Sequence, residues 1–333
     1  MARYVLMVAA ALGFLATAAV ENLMLPILRQ WEMRRMTAQP ILRCKAPNAP
    51  SMGGFAVVFG TVAAVTVAWI GLAVLEPKLM DGYQRQILVS CVITGFAFAM
   101  LGVWDDLRGY LRKDHRPLSW KLRLVIETML ALGFLGVMHL IGALPGGTVI
   151  PFVGYVEFGS FGILLAAFTL VAIVESSHFS AAGMGVCSVN GFFACLVCSA
   201  VAALQNHLQM ALYATALSGA LLAFLLWGFP PAKLLLGRSG SSFIAASLAV
   251  ISIAMGWGGL LILLGGVYWL EAGAYVLQGL SYRLRKRPLL KDLPLQAALT
   301  AAGWSPTRIV GLMGLASFTF AVLALLQVLS ATA

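Results

Sequence analysis

Acidic residues are scarce in this chain: 12 Asp and Glu stand against 22 Lys and Arg among 333 residues, and charged side chains of every kind amount to 10%. With 61% apolar residues and a mean hydropathy of +0.94, that scarcity excludes a soluble domain and indicates an all-α polytopic membrane protein. Fixed-period repeats and low-complexity linkers are also missing. Spans of about 20 residues joined by short loops leave no room for a separate soluble domain, so residues 1–333 read as a single integral membrane domain. The five cysteines (Cys44, Cys91, Cys187, Cys195, Cys198) are odd in number and read as small buried apolar side chains, not as disulfides or a metal site. A formal charge of +10 would suggest nucleic acid in a soluble chain. In a membrane chain it asks instead where the basic residues lie, and no nucleic-acid partner is expected.

What is present is a series of ten apolar runs, at roughly 4–28, 53–75, 87–104, 122–144, 158–174, 185–204, 208–227, 240–256, 258–281 and 308–330. The first passes through Leu23, Met24, Leu25 and Ile27 without a loop, which favours a retained helix over a cleaved signal peptide. Of the 22 Lys and Arg, nineteen fall in the first, third, seventh and ninth loops or at the start of the last run, leaving only Arg3, Lys78 and Arg85 on the other side. The positive-inside rule then makes the odd loops cytoplasmic and places both termini outside. In the fourth loop, Leu144 to Gly147 and Pro151 break the chain, and the alternating VIPFVGYVEF stretch predicts a short hairpin on the outer surface.

Against this background the stretch Phe98 to Tyr110, FAMLGVWDDLRGY, stands out, because Asp105 and Asp106 are the only adjacent acids in the chain. Two carboxylates at the mouth of an apolar helix cost desolvation and mutual repulsion, which a cation or a ring of donors offsets. Two readings follow: a magnesium or phosphate site at the membrane surface, or a helix end capped in water beside Arg108 and Arg112. Four more polar segments share that face: Asn48 to Gly54 (NAPSMGG), Glu175 to Gly185 (ESSHFSAAGMG), Pro231 to Ser241 (PAKLLLGRSGS) and Lys291 to Trp304 (KDLPLQAALTAAGW).

In order and spacing these segments resemble the phospho-N-acetylmuramoyl-pentapeptide transferases, of the glycosyltransferase 4 family and the polyprenyl-phosphate N-acetylhexosamine-1-phosphate transferase superfamily. The resemblance runs from about Arg29 to Phe318. Gln39-Pro40-Ile41 with Lys45 and Pro50 to Gly54 is similar to the family's QPI and K-x-G-T-P-T-M-G-G stretch, and Gly102 to Asp106 to its G-x-x-D-D motif. Gly266-Val267-Tyr268 with Glu271, and Gly303-Trp304 with Arg308-Ile309-Val310, fit its ninth span and its last loop and helix. The resemblance implies a bacterial cytoplasmic-membrane location, peptidoglycan precursor synthesis, and transfer of a sugar phosphate from a UDP-sugar to polyprenyl phosphate, with magnesium held by carboxylates.

The departures from that pattern fall on the chemistry. The family's N-A-x-N-x-x-D-G-x-x-G-L segment lies on Glu175 to Val186, so that Glu175 and His178 replace its asparagines and Ala181 and Met184 its carboxylates. Its F-M-G-D-x-G-S segment lies on Leu235 to Ser241, with Arg238 at the metal-binding aspartate, and its P-I-H-H-H segment lies on Pro294 to Ala298, with no histidine left. Losing one such group typically costs about a hundredfold or more in turnover. The expectation is therefore a catalytically impaired homologue that binds polyprenyl phosphate or pairs with itself or another membrane protein. The alternative is an active transferase in which Asp105, Asp106 and Glu175 hold the metal and His178 assists. A transporter or scramblase is disfavoured, because no two matching halves carry interrupted helices.

Arg238, just ahead of Ser239-Gly240-Ser241 and an apolar helix, either stands in for magnesium and holds a lipid phosphate with Lys45, Lys121 and Lys233, or is a positive-inside anchor. Glu175 and His178, three apart, share a helix face and form either an acid/base pair or a hydrogen-bonded helix end. Glu271 and Gln278, two turns apart in an apolar span, read as packing or dimer contacts.

Overall fold

A computed structural model describes residues 2–38, 49–111, 118–159, 161–181, 185–290 and 292–332. Its helices are α1 (Ala2–Ala38), α2 (Gly54–Leu75), α3 (Gly82–Leu111), α4 (Trp120–Ile141), α5 (Phe161–Ala181), α6 (Val186–Leu204), α7 (Leu208–Gly228), α8 (Gly237–Ala254), α9 (Leu261–Leu264), α10 (Gly266–Arg285), α11 (Leu295–Ala301) and α12 (Pro306–Thr332). Two strands, β1 (Gly147–Ile150) and β2 (Gly154–Glu157), separate α4 from α5. Among the described residues nine helices are long and apolar enough to cross a membrane. A tenth span is reached if Gly258–Leu264 and Gly266–Arg285 count as one, although they meet at an angle of 74°. Helices are the expected solution, because in lipid every backbone N–H and C=O has to be satisfied within its own segment.

The expected hairpin is present, with Gly147 opposite Glu157 and Ile150 opposite Gly154 in an antiparallel pair. It packs on the turn before α9, where Thr148 Oγ1 donates to Gly256 O at 3.2 Å and accepts from Gly259 N at 3.0 Å. Two expectations need correction. The helix of the third apolar run does not end where the run ends at the aspartates, since α3 continues to Leu111 and carries both within its last two turns. The ninth run is not one straight span. Chain direction changes at Gly265–Gly266, where the ring of Phe320 fills the room that a Cβ on Gly266 would need. Glu271, Gln278 and the arginines beyond them then make α10 far more polar than the spans around it.

At the centre is α8, the most enclosed of the spans, whose first turns are almost all small residues: Gly237, Ser239, Gly240, Ser241, Ser242. Small side chains let neighbouring backbones approach. A Cβ on Gly54 would collide with the Gly240 backbone, and one on Gly102 would lie 2.7 Å from Arg238 O, so α2 and α3 both run against the start of α8. Buried hydroxyls further along find partners across the bundle, as Ser247 does with Tyr213 at 2.7 Å. Cys195 and Cys198 stand three apart on α6, a spacing overlooked in reading the sequence; both are free, buried thiols, in keeping with a packing role.

Close approach at Gly102 is what brings the aspartates to α8. Gly102→Leu is expected to lower stability by about 1–3 kcal/mol or more by overpacking. Gly71→Leu, at a position with no neighbour within 4 Å, is expected to leave it unchanged. Unfolding midpoints of the detergent-purified variants check this, and equal midpoints would contradict the packing.

Candidate functional site

Five loop ends meet at one end of the bundle. Leu235 N donates to Pro50 O at 2.9 Å, and Gly53 N and Gly54 N donate to Leu235 O and Leu236 O at 2.9 and 2.8 Å, joining the starts of α2 and α8. Gly237 has φ +73°, in the left-handed region that a glycine adopts without penalty, and this turns the chain into α8 directly beneath Asp106. Ser177 Oγ donates to Ser241 O at 3.1 Å, tying α5 to α8, and Gln296 Nε2 donates to Ser180 O at 3.3 Å, tying α11 to α5.

Asp106, one turn beyond Gly102, lies over the first turn of α8. Its Oδ1 accepts from Arg238 N at 3.2 Å and its Oδ2 from Ser239 N at 3.0 Å. A carboxylate satisfying the orphan amides of a helix start, where the dipole favours negative charge, is an N-cap supplied from another helix. Asp105 is nearly fully buried. Its Oδ1 accepts from Leu118 N at 2.5 Å, while Oδ2 lies 2.8 Å from Arg238 Nη1 and 3.8 Å from Arg123 Nη1.

A second layer lies behind this pair. Arg123 forks onto Glu175, with Nε donating to Oε1 at 3.0 Å and Nη2 to Oε2 at 2.7 Å, and its Nε stands 3.7 Å from the buried Glu127. His178 Nδ1 is 2.9 Å from Ser241 Oγ, whose own hydrogen goes to Arg238 O at 3.2 Å. That network assigns the proton to Nδ1 and leaves Nε2 facing Glu127 Oε1 at 3.9 Å. Two guanidiniums thus serve three carboxylates, Asp105, Glu127 and Glu175, and the planar fork of Arg suits shared carboxylate contacts in a way a lysine would not.

Several sequence expectations are corrected by this geometry. Asp105 and Asp106 do not cap their own helix end beside Arg108; one pairs with Arg238 and the other caps α8. The α8 amides expected to cradle a phosphate are occupied by Asp106, and Gly240 serves to admit Gly54. Glu175 and His178 share a face but bond to Arg123 and Ser241, not to each other. Lys121 and Lys233 are exposed, the former with its Nζ 5.7 Å from the centre of the Trp120 ring. Lys45, Arg112 and Met184 lie outside the described residues. Glu271 and Gln278 are internal braces: Glu271 accepts from Leu295 N at 2.8 Å, and Gln278 holds the loop at Leu289 and Leu290.

Sequence reasoning passed over Arg123 and Glu127 as site residues. The signal was there, since Glu127 is a lone acid in an apolar run with a basic residue four positions earlier on the same face. Magnesium does not fit the residues present. Asp105 Oδ2 already carries a guanidinium, both oxygens of Asp106 accept backbone amides, and no group of three or more His, Cys, Asp or Glu suited to a metal occurs among the described residues.

A many-span helical bundle whose loop ends converge on an aspartate pair defines the class, an all-α polytopic membrane protein. The signature of glycosyl transferase family 4 matches residues 88–256, most of α3 and all of α4 to α8, and the chain belongs to that family. It is 27% identical over 319 residues to the phospho-N-acetylmuramoyl-pentapeptide-transferase of Bacillus licheniformis, covering 94% of each chain. The protein of the same description from Rippkaea orientalis is 28% identical over 334 residues, covering 95% of this chain and 86% of the relative. That from Halalkalibacterium halodurans is 25% identical over 325 residues, at 96% and 97% coverage.

Arg123 is the cation closest to both Glu127 and Glu175, and its side chain is 11% exposed. Arg123→Met is expected to cost about 3–5 kcal/mol, or folding itself, by leaving buried charge uncompensated. Glu175→Gln, at a more open position, is expected to cost about 1 kcal/mol. Denaturant unfolding in detergent reads the difference, and equal small losses would show that the network does not hold the bundle together.

Proposed function

We propose that this protein is a non-catalytic member of its family in the bacterial cytoplasmic membrane, acting in envelope assembly by holding a polyprenyl phosphate against the basic face of the bundle. The observation that carries this reading is Arg238 in ion contact with Asp105 at 2.8 Å. A dication placed about 4 Å from that guanidinium meets a repulsion of about 8 kcal/mol at an effective dielectric of 20. With Asp105 paired to Arg238 and Asp106 accepting the α8 amides, the aspartate pair is poorly placed to offset it. Phosphoryl transfer between two anionic groups depends on charge neutralisation at the reacting oxygens, so a site without the ion retains little of that catalysis.

The same arginine supports binding. Its side chain is 36% exposed while the carboxylate beneath it is 1% exposed, so the arginine is reachable from the surface although its Nη1 is buried against Asp105. A lipid phosphate approaching from that side gains a charge-assisted contact without displacing Asp106 from the helix start. The apolar bundle beside it offers the environment a polyprenyl chain requires.

Purified protein incubated with magnesium, polyprenyl phosphate and UDP-activated sugars is expected to release UMP at background rate. Robust release that Asp105→Asn abolishes would overturn the proposal. Polyprenyl phosphate binding is expected to survive chelation and to weaken at least about tenfold in Arg238→Ala, the loss of one charge-assisted contact. Binding that needs magnesium and ignores the substitution would count against Arg238 as the anchor. Arg238→Asp, which removes the cation and adds a carboxylate, is expected to bind manganese by electron paramagnetic resonance where the wild type does not.

A further inference from the structure

The last part of α10 has chemistry that the site does not use. After the 74° bend the helix leaves the bundle, and beyond Glu271 none of its residues is buried. Val276, Leu277, Leu280 and Leu284 are exposed and fall on one side of the helix, opposite Glu271 and Gln278. Arg283, Arg285, Lys286 and Arg287 follow within five residues, all exposed and without an acidic partner among the described residues.

This cationic turn is built. Lys286 closes the helix in the left-handed conformation at φ 53°. Gln278 then folds the chain back: its Oε1 accepts from Leu289 N and Leu290 N, both at 2.9 Å, and its Nε2 donates to Leu290 O at 3.0 Å. Ser281 Oγ donates to Arg287 O at 3.0 Å. Four cations are therefore presented beside an apolar stripe on a braced turn. A long apolar stripe next to unpaired arginines on a helix that emerges from a membrane bundle matches the boundary between acyl chains and anionic headgroups. A nucleic acid would leave the apolar stripe without a partner.

We infer that the end of α10 and the turn at Arg283 to Arg287 form a docking surface for the headgroups of anionic phospholipids. The same helix is tied to the candidate site nearer its start. Glu271 holds Leu295 N at the start of α11, and Gln296 in α11 holds Ser180 O at the end of α5, two residues from His178.

The test uses full-length protein in neutral detergent, with phosphatidylglycerol or phosphatidylcholine added and bound lipid read by native mass spectrometry. Wild type is expected to retain phosphatidylglycerol in preference to phosphatidylcholine. In Arg283→Gln/Arg285→Gln/Lys286→Gln/Arg287→Gln the apparent affinity for the anionic lipid is expected to fall at least about tenfold. Inorganic phosphate at equal concentration is not expected to displace the lipid. Equal retention by variant and wild type, absence of a headgroup preference, or displacement by inorganic phosphate would each overturn the inference. Should the fourfold variant fail to fold, wild type is read at about 0.05 and about 0.5 M salt. Loss of the preference at high salt supports the surface, and an unchanged preference overturns it.

Discussion

A carboxylate taken out of water has to find donors or a counter-charge within its own fold, and two adjacent ones double that demand. In this chain the first turn of one helix answers to both. Asp106 receives the amides of Arg238 and Ser239, and Asp105 receives the Arg238 side chain. One residue thus serves both acids, through its backbone and through its guanidinium. The rest of the site follows, because at this end of the bundle Gly102 lets α3 lie against the start of α8, and Gly54 and Gly240 let α2 do the same.

The second layer extends the same rule. Glu127 is buried within α4 and has Arg123 one turn before it, while Arg123 reaches across to Glu175 on α5. His178, the next turn of α5, reports to α8 through Ser241. Helices α3, α4, α5 and α8 are therefore joined by polar contacts at one end, and among the described residues α1 and α12 contribute none of them. Such networks are costly when half-satisfied, so the parts stand or fall together.

Much of the architecture was legible because it depends on composition and local pattern. Ten apolar runs, the loop asymmetry in Lys and Arg and the alternation in VIPFVGYVEF translate into spans and a hairpin by elementary rules. The bend at Gly265 was not legible, since the apolar run continues through it and the ring of Phe320 that packs against Gly266 lies about fifty residues away in sequence. Similarly, Arg238 was conspicuous as an arginine at an expected aspartate, but its partner lies on α3, far off in sequence. Local reading gave its helix start to a ligand, whereas the fold gives it to Asp106. Arg123 was hidden for a different reason: among so many basic loop residues it looked like one more topological anchor.

Retention of the aspartate pair therefore carries less chemical meaning than its motif suggests. If magnesium once organised these carboxylates, replacing its ligand by arginine would have turned both acids into structural groups in one step, because the incoming guanidinium needs Asp105 as much as Asp105 needs it. From then on, Asp105→Ala would strand a part-buried cation and Asp106→Ala would strand two helix amides. Both aspartates would be held in place by stability alone. Under the proposed function, the motif most characteristic of the reaction would survive in this chain for a reason that has nothing to do with the reaction.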